Sequence, residues 1–302
     1  MRSKVGNKTI IIVIMIASFF AGTVLGKIRR AKRAEQFDSI VATYSDAEEK
    51  RDLTVSRIKS HLRAKEVYND YPNGKLAWYI KRSNNHEKSG CDDTLKLGDY
   101  GALYLDENAY EQEEKVLYLT FDCGYENGYT DDILAVLKKH NAPACFFVTQ
   151  TYIRDNVDLV KRMKEEGHNV GNHTITHPCM TNLSFDEIVQ EINGCADYMR
   201  EATGYAMDPY FRPPCGEYSA RVLALANDLG FRTIFWSMAY KDYDVNDQPG
   251  SDYVIKHFRK YHHCGAIALL HNVSSSNANA LDTVLTELEQ EGYRFGNLDD
   301  LK

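Results

Sequence analysis

No Cys-x-x-Cys pair occurs in the 302 residues, and the seven cysteines, Cys91, Cys123, Cys145, Cys179, Cys195, Cys215 and Cys264, are odd in number. A secreted disulfide framework uses an even set in a smaller chain, so most of these thiols are expected to be free, buried and apolar in behaviour. His-Glu-x-x-His is absent too, which argues against a zinc peptidase. Nor is there a basic body. The formal charge is −7, and the first 33 residues hold eight Lys and Arg with no acid, so the remainder carries −15. Such a body repels phosphate backbones, and no nucleic-acid partner is expected. With 43% hydrophobic and 26% charged residues, the composition excludes a disordered or low-complexity protein.

Thr9 to Gly26 is an uncharged run of eighteen residues with basic residues on both sides, near the lower limit for a spanning helix. It reads as a cleaved signal peptide or a retained anchor. Val24-Leu25-Gly26 is a poor cleavage pattern, and Lys27-Ile28-Arg29-Arg30 follows at once, which favours the anchor. Both flanks are basic, so charge alone leaves the orientation open. The expectation is a membrane attachment through residues 1–26, with the rest outside the cytoplasm. Residues 27–70 are charge-rich and read as a linker or stalk, and residues 71–114 as an irregular extension packing on the domain that follows. Residues 115–302 form that domain, expected to be a monomer.

From Lys115 onward the pattern is regular. Strand-like runs at Val116–Phe121, Cys145–Val148, Asn169–Gly171, Arg232–Trp236 and Ala266–Leu270 alternate with helical patterns at Thr130–His140, Asn156–Glu166, Phe185–Thr203, Ser219–Leu229, Tyr253–Tyr261 and Ala278–Glu291. Repeated alternation of this kind implies an α/β protein with a parallel sheet, open or closed into a barrel. Ligands of such folds gather at the carboxyl ends of the strands.

Polar residues recur at those ends: Asp122-Cys123-Gly124, then His173 and His177, Arg212-Pro213-Pro214-Cys215-Gly216, Trp236 to Tyr243, and His271. His173 and His177 stand at i and i+4, a spacing that in one helical turn lets two imidazoles share a metal. Asp122 taken alone could cap the next element, Arg212 could be a structural ion-pair partner, and His271 could be a satisfied interior histidine. Together they suit metal-assisted hydrolysis of an amide. Two neutral imidazoles hold a divalent cation of zinc type, Asp122 takes a proton from water, and His271 protonates the departing amine. Arg212 keeps Asp122 ionised and oriented.

These segments, in this order, resemble the NodB-type polysaccharide deacetylases. The motifs are Thr-Phe-Asp-x-Gly, His-Thr-x-x-His, Arg-Pro-Pro-x-Gly and Leu-x-His. The resemblance implies a distorted (β/α) barrel and metal-dependent removal of acetyl groups from glycans. Asp122 to Thr130 and Trp236 to Tyr240 are similar to the branch that deacetylates muramic acid of spore-cortex peptidoglycan and prepares its δ-lactam. So are Asn73-Gly74-Lys75 and Lys81 to His86. Carried over by motif, Asp122 is the general base, Arg212 its orienting residue, His173 and His177 the metal-binding histidines, His271 the general acid and Asp242 the carboxylate that tunes it. Tyr243 stands where a groove-lining tryptophan is usual, and with Trp236 and Pro214 it is expected to meet substrate. Two departures stand out. The family's third metal ligand is an aspartate where this chain has Cys123, which either ligates as a thiolate or sits as a neutral thiol. Ala239 replaces the first aspartate of a frequent pair and leaves Asp242 alone.

The resemblance therefore implies a divalent cofactor, zinc or another such cation, and peptidoglycan glycan strands as the partner. N-acetylglucosamine of peptidoglycan or chitin oligosaccharide is the alternative substrate. A non-catalytic wall-binding protein is the alternative class.

Overall fold

A computed structural model describes residues 67–68 and 70–301. The apolar run 9–26 and nearly all of the expected stalk lie outside the described residues. Among the described residues no helix is long and apolar enough to cross a membrane.

Three two-residue strands, β1 (Leu76–Ala77), β2 (Ile80–Lys81) and β3 (Gly90–Cys91), and a short helix α1 (Glu107–Glu111) precede the regular part. There follow β4 (Val116–Cys123), α2 (Thr130–Lys139), β5 (Ala144–Val148), α3 (Gln150–Asp155), α4 (Val157–Glu165), β6 (Asn169–Asn172) and α5 (Phe185–Thr203). Next come β7 (Tyr210–Phe211), β8 (Glu217–Tyr218), α6 (Ala220–Asp228), β9 (Arg232–Thr233), α7 (Ser251–Tyr261), β10 (Ala266–His271), α8 (Ser275–Gln290) and β11 (Arg294–Phe295).

The main sheet is parallel, in the order β10-β4-β5-β6-β7-β9, with β11 joining the start of β4. All eight residues of β4 are buried, which is why it is mostly apolar, broken only by Thr120 and Asp122, rather than an apolar–polar alternation. Its two faces still differ. Leu117, Leu119, Phe121 and Cys123 join the large core shared with the helices, while Val116 and Tyr118 meet Cys145, Phe147, Tyr210 and Ile267 inside the curl. Past β9 the chain crosses to β10. The amides of Ser237 and Met238 donate to the Ile267 carbonyl at 3.0 and 3.1 Å, and the Leu269 amide to that of Met238 at 2.9 Å. The expected distorted barrel is thus a curled parallel sheet whose edges meet through one segment.

The extension packs on this curl. β1 pairs antiparallel with β8. Trp78 stacks on Phe235 with centroids 4.5 Å apart and donates Nε1–H to the Trp236 carbonyl at 3.0 Å. At Gly265 the contact is closest. Its φ is +70°, and a Cβ there would come within 2.3 Å of the Asp106 carbonyl oxygen, so only glycine allows α1 to seat against the start of β10.

Candidate active site

Asp122 is the last residue but one of β4 and His271 ends β10, and the two residues are partners in the register of adjacent strands. Their environments push them apart chemically. Asp122 Oδ1 accepts from Arg212 Nη1 at 2.9 Å. Burial alone would raise this carboxyl, but the Arg212 guanidinium, with His173 and His271 adding, holds it below the usual carboxylate range. His271 bonds through Nδ1 to Asp242 Oδ1 at 2.7 Å, and its backbone amide donates to Asp242 Oδ2 at 2.8 Å. Burial would lower its pKa, yet the Asp242 charge and hydrogen bond leave it above the ordinary imidazole value. One group is therefore held ready to accept a proton and its neighbour to give one.

Arg212 follows β7 and is fully buried. Its guanidinium donates from Nε to the Ile234 carbonyl at 2.9 Å, from Nη1 to Thr120 Oγ1 at 2.9 Å and from Nη2 to the Phe235 carbonyl at 3.3 Å. It also lies over the Phe147 ring, 4.2 Å from the centroid. A charge so enclosed keeps one orientation, and with it Asp122 keeps one too.

His173 and His177 do come together, with ring centroids 4.8 Å apart, but not on a helix. Thr174 and His177 have φ of +72° and +59°, and Pro178 disfavours a helical residue before it. Side chains hold the loop instead. Asn172 Oδ1 accepts from the Thr174 amide at 2.9 Å, Thr174 Oγ1 from the His177 amide at 3.0 Å, and Glu191 Oε2 from the Ile175 and Thr176 amides at 2.8 and 2.9 Å. Burial lowers the pKa of both histidines, that of His173 to about 4. His173 Nδ1 lies 2.8 Å from the Arg212 carbonyl, which accepts its proton and leaves the Nε2 lone pair bare, 3.6 Å from Asp122 Oδ2. Two neutral imidazoles beside a carboxylate suit a divalent cation of borderline softness. Among the described residues no group of three or more His, Cys, Asp or Glu is arranged to hold one.

Cys123 does not join them. It belongs to the face of β4 that packs under the helices, is fully buried in the core, and has its sulfur 3.8 Å from the Phe121 carbonyl oxygen. Burial, with the Asp122 charge adding, pushes its thiol well above the usual range, so these surroundings favour the neutral thiol of the two expected states.

Tyr243 is exposed and meets the His271 ring edge-on at 5.7 Å. Trp236 is half-buried, its ring 5.6 Å from Arg212 Cζ. Pro214 is buried at the start of a 3-10 turn, Pro214–Gly216, and the exposed residue of that turn is Cys215. Sequence reasoning missed Asn277, which lies in the first turn of α8. Its Nδ2 donates to Asp242 Oδ2 at 2.6 Å and to the His271 carbonyl at 3.2 Å, and its Oδ1 accepts from the Tyr240 hydroxyl at 2.7 Å. Thr120 was also missed as a partner of Arg212. Its place two residues before Asp122 puts it on the same strand face, the one signal that could have found it.

The chain as a whole can also be set beside known proteins. Residues 109–234 fit the family model described as polysaccharide deacetylase. The peptidoglycan-N-acetylmuramic acid deacetylase PdaA of Bacillus subtilis is 43% identical over 76% of this chain and 87% of its own. Its solved structure, a family 4 carbohydrate esterase, superposes with a TM-score of 0.72 and covers 76% of this chain and 97% of that one. A peptidoglycan-N-acetylglucosamine deacetylase of Bacillus cereus is 33% identical over 62% of this chain and 88% of its own. A family 4 carbohydrate esterase of Bacillus anthracis superposes with a TM-score of 0.63 at 37% identity, covering 76% and 97% of the two chains. Likeness on this scale covers 76% of the chain, and the chain belongs to the polysaccharide deacetylase family.

Proposed function

We propose that the protein is a metal-dependent N-deacetylase of peptidoglycan that acts on N-acetylmuramic acid. The observation that carries this is the pairing of Asp122–Arg212 and His271–Asp242 across adjacent strands, in register, next to two neutral imidazoles. The muramic acid assignment is supported by the 43% identity to PdaA, and the glycan substrate by the family.

Hydrolysis of an N-acetyl group needs a proton taken from water and a proton given to nitrogen, because an amide anion is a very poor leaving group. Asp122, ionised and oriented by Arg212, accepts the first at its Oδ2 edge, the side that faces His173. His271 donates the second, its ring held through Nδ1 by Asp242 so that Nε2 is the nitrogen left to meet substrate. A divalent cation held by His173 and His177 would polarise the acetyl carbonyl and lower the pKa of water there. Tyr243 offers an exposed ring beside His271 on which a sugar face can stack. An extracytoplasmic location and membrane attachment through residues 9–26 are part of the same proposal and rest on the sequence alone. So does a role in forming muramic δ-lactam during sporulation.

The test is mass spectrometry of muropeptides after incubation with peptidoglycan, with and without chelator, including glycan stripped of stem peptides. Chelator-sensitive acetyl loss from muramic acid is expected. Loss confined to glucosamine would keep the chemistry and transfer the substrate to the one named for the Bacillus cereus relative. No loss from any glycan with metal bound would favour a wall-binding protein, a reading that the buried, neutral Cys123 also motivates.

A further inference from the structure

Cys123, Cys145 and Cys195 are buried, but Cys215 is exposed and Cys179 half-buried. Both of these stand in loops that carry site residues. Cys179 follows His177-Pro178, and Cys215 follows Arg212-Pro213-Pro214. The two loops pack together. The 3-10 turn Met180–Asn182, which Cys179 precedes, lies directly against β8, which begins two residues after Cys215. Asn73 ties the loops from a third side, donating Nδ2 to the Thr181 carbonyl at 2.9 Å and accepting from Ser219 Oγ at 2.8 Å. The Cys179 sulfur is 3.2 Å from Thr181 Oγ1, and Glu217, the first residue of β8, pairs with Lys75 at 2.8 Å. Cys179 and Cys215 thus flank one packed contact, Cys179 one residue before the turn and Cys215 two residues before the strand it lies against.

We propose that Cys179 and Cys215 are a disulfide site, joined when the folded protein meets a small-molecule disulfide and so tying the loop of His177 to the loop of Arg212. Cys215, the exposed thiol, reacts first. Its thiolate attacks the small disulfide, forms a mixed disulfide and releases one small thiol. Cys179, having given its proton to solvent, then attacks the Cys215 sulfur and releases the second. The protein gives up two electrons and two protons, and one small disulfide becomes two thiols. The bridge closes a loop that contains α5, so it restricts the unfolded chain and stabilises the fold.

The experiment treats the full-length chain with oxidised glutathione under native conditions, confirms the fold by circular dichroism, counts free thiols and maps peptides without reduction. The proposal expects two fewer thiols, one joined peptide containing Cys179 and Cys215, a higher Tm, and reversal by dithiothreitol. Cys179→Ser should stop at a glutathione adduct on Cys215, and Cys215→Ser should form no bridge to Cys179. If the folded wild type keeps both thiols free, carries separate glutathione adducts, or joins either cysteine to another partner, the proposal is wrong.

Discussion

Asp122 and His271 occupy neighbouring positions in the sheet, yet the residues behind them set opposite tasks. Arg212 stabilises the charged form of Asp122, and Asp242 stabilises the charged form of His271. Asp122→Asn keeps an acceptor for the Arg212 fork but removes the base. It should lower kcat by about 100- to 10,000-fold while metal content, measured by elemental analysis, is unchanged. The pH profile has a sign that follows from the same pairs. His271 must be protonated to act as the acid, so activity should fall as pH rises through its raised pKa. Asp242→Asn removes the anion that holds this proton, and the basic limb of a kcat/KM profile should move to lower pH. A limb that stays in place would mean that Asp242 does not tune His271. On the acid side, turnover should fail as pH drops toward about 4, where His173 protonates and loses its lone pair. The grouping of these residues was legible in the motifs. The fate of Cys123 was not, because its type allows both a thiolate ligand and a small apolar core residue, and only the face of β4 decides between them. Asn277 carried no signal either, since an asparagine near a helix start reads as one of many surface amides.

Among the elements, α5 was read to its ends from sequence, Phe185–Thr203, because local chemistry fixes both of them. Ser184 and Glu187 form a reciprocal capping box, and Gly204 takes φ of +82° at the other end. Ser184→Ala should cost about 1 kcal/mol of stability in urea unfolding and leave kcat unaltered, since the cap lies outside the acid–base pairs. Elements with weaker local signals were missed. The six-residue helix α3 is too short to show a period, and β1, β2, β3 and β11 are two-residue strands that exist only because a partner is there to pair with. The His173–His177 loop illustrates the reverse error. Helical spacing put these two rings together for an incorrect reason, and they meet through positive-φ residues and the Asn172, Thr174 and Glu191 side chains.

For the molecule as a whole, the extension is part of the fold. Trp78, Ala102, Tyr218 and Phe235 share one buried cluster, the Leu103 and Leu105 backbones bridge to Ile234 and Ala266, and Asp106 accepts from Tyr118 at 2.7 Å. A chain beginning at residue 115 would expose that cluster and unpair β8. It is expected to be insoluble or to bind a hydrophobic dye strongly, whereas a chain beginning at residue 67 should not. A soluble, dye-free product from residue 115 would show the extension to be dispensable.

The register of β10 against β4 also sets an order in time. Asp122, the proposed base, is made early and His271, the proposed acid, about 150 residues later, although the two end side by side. A ribosome that has finished Asp122, both imidazoles and Arg212 has made most of a site and none of a catalyst. Only when the last long strand emerges and finds the first does the chain gain a proton donor. With the roles proposed above, an unfinished or prematurely released copy is expected to leave the glycan untouched, whatever compartment it reaches.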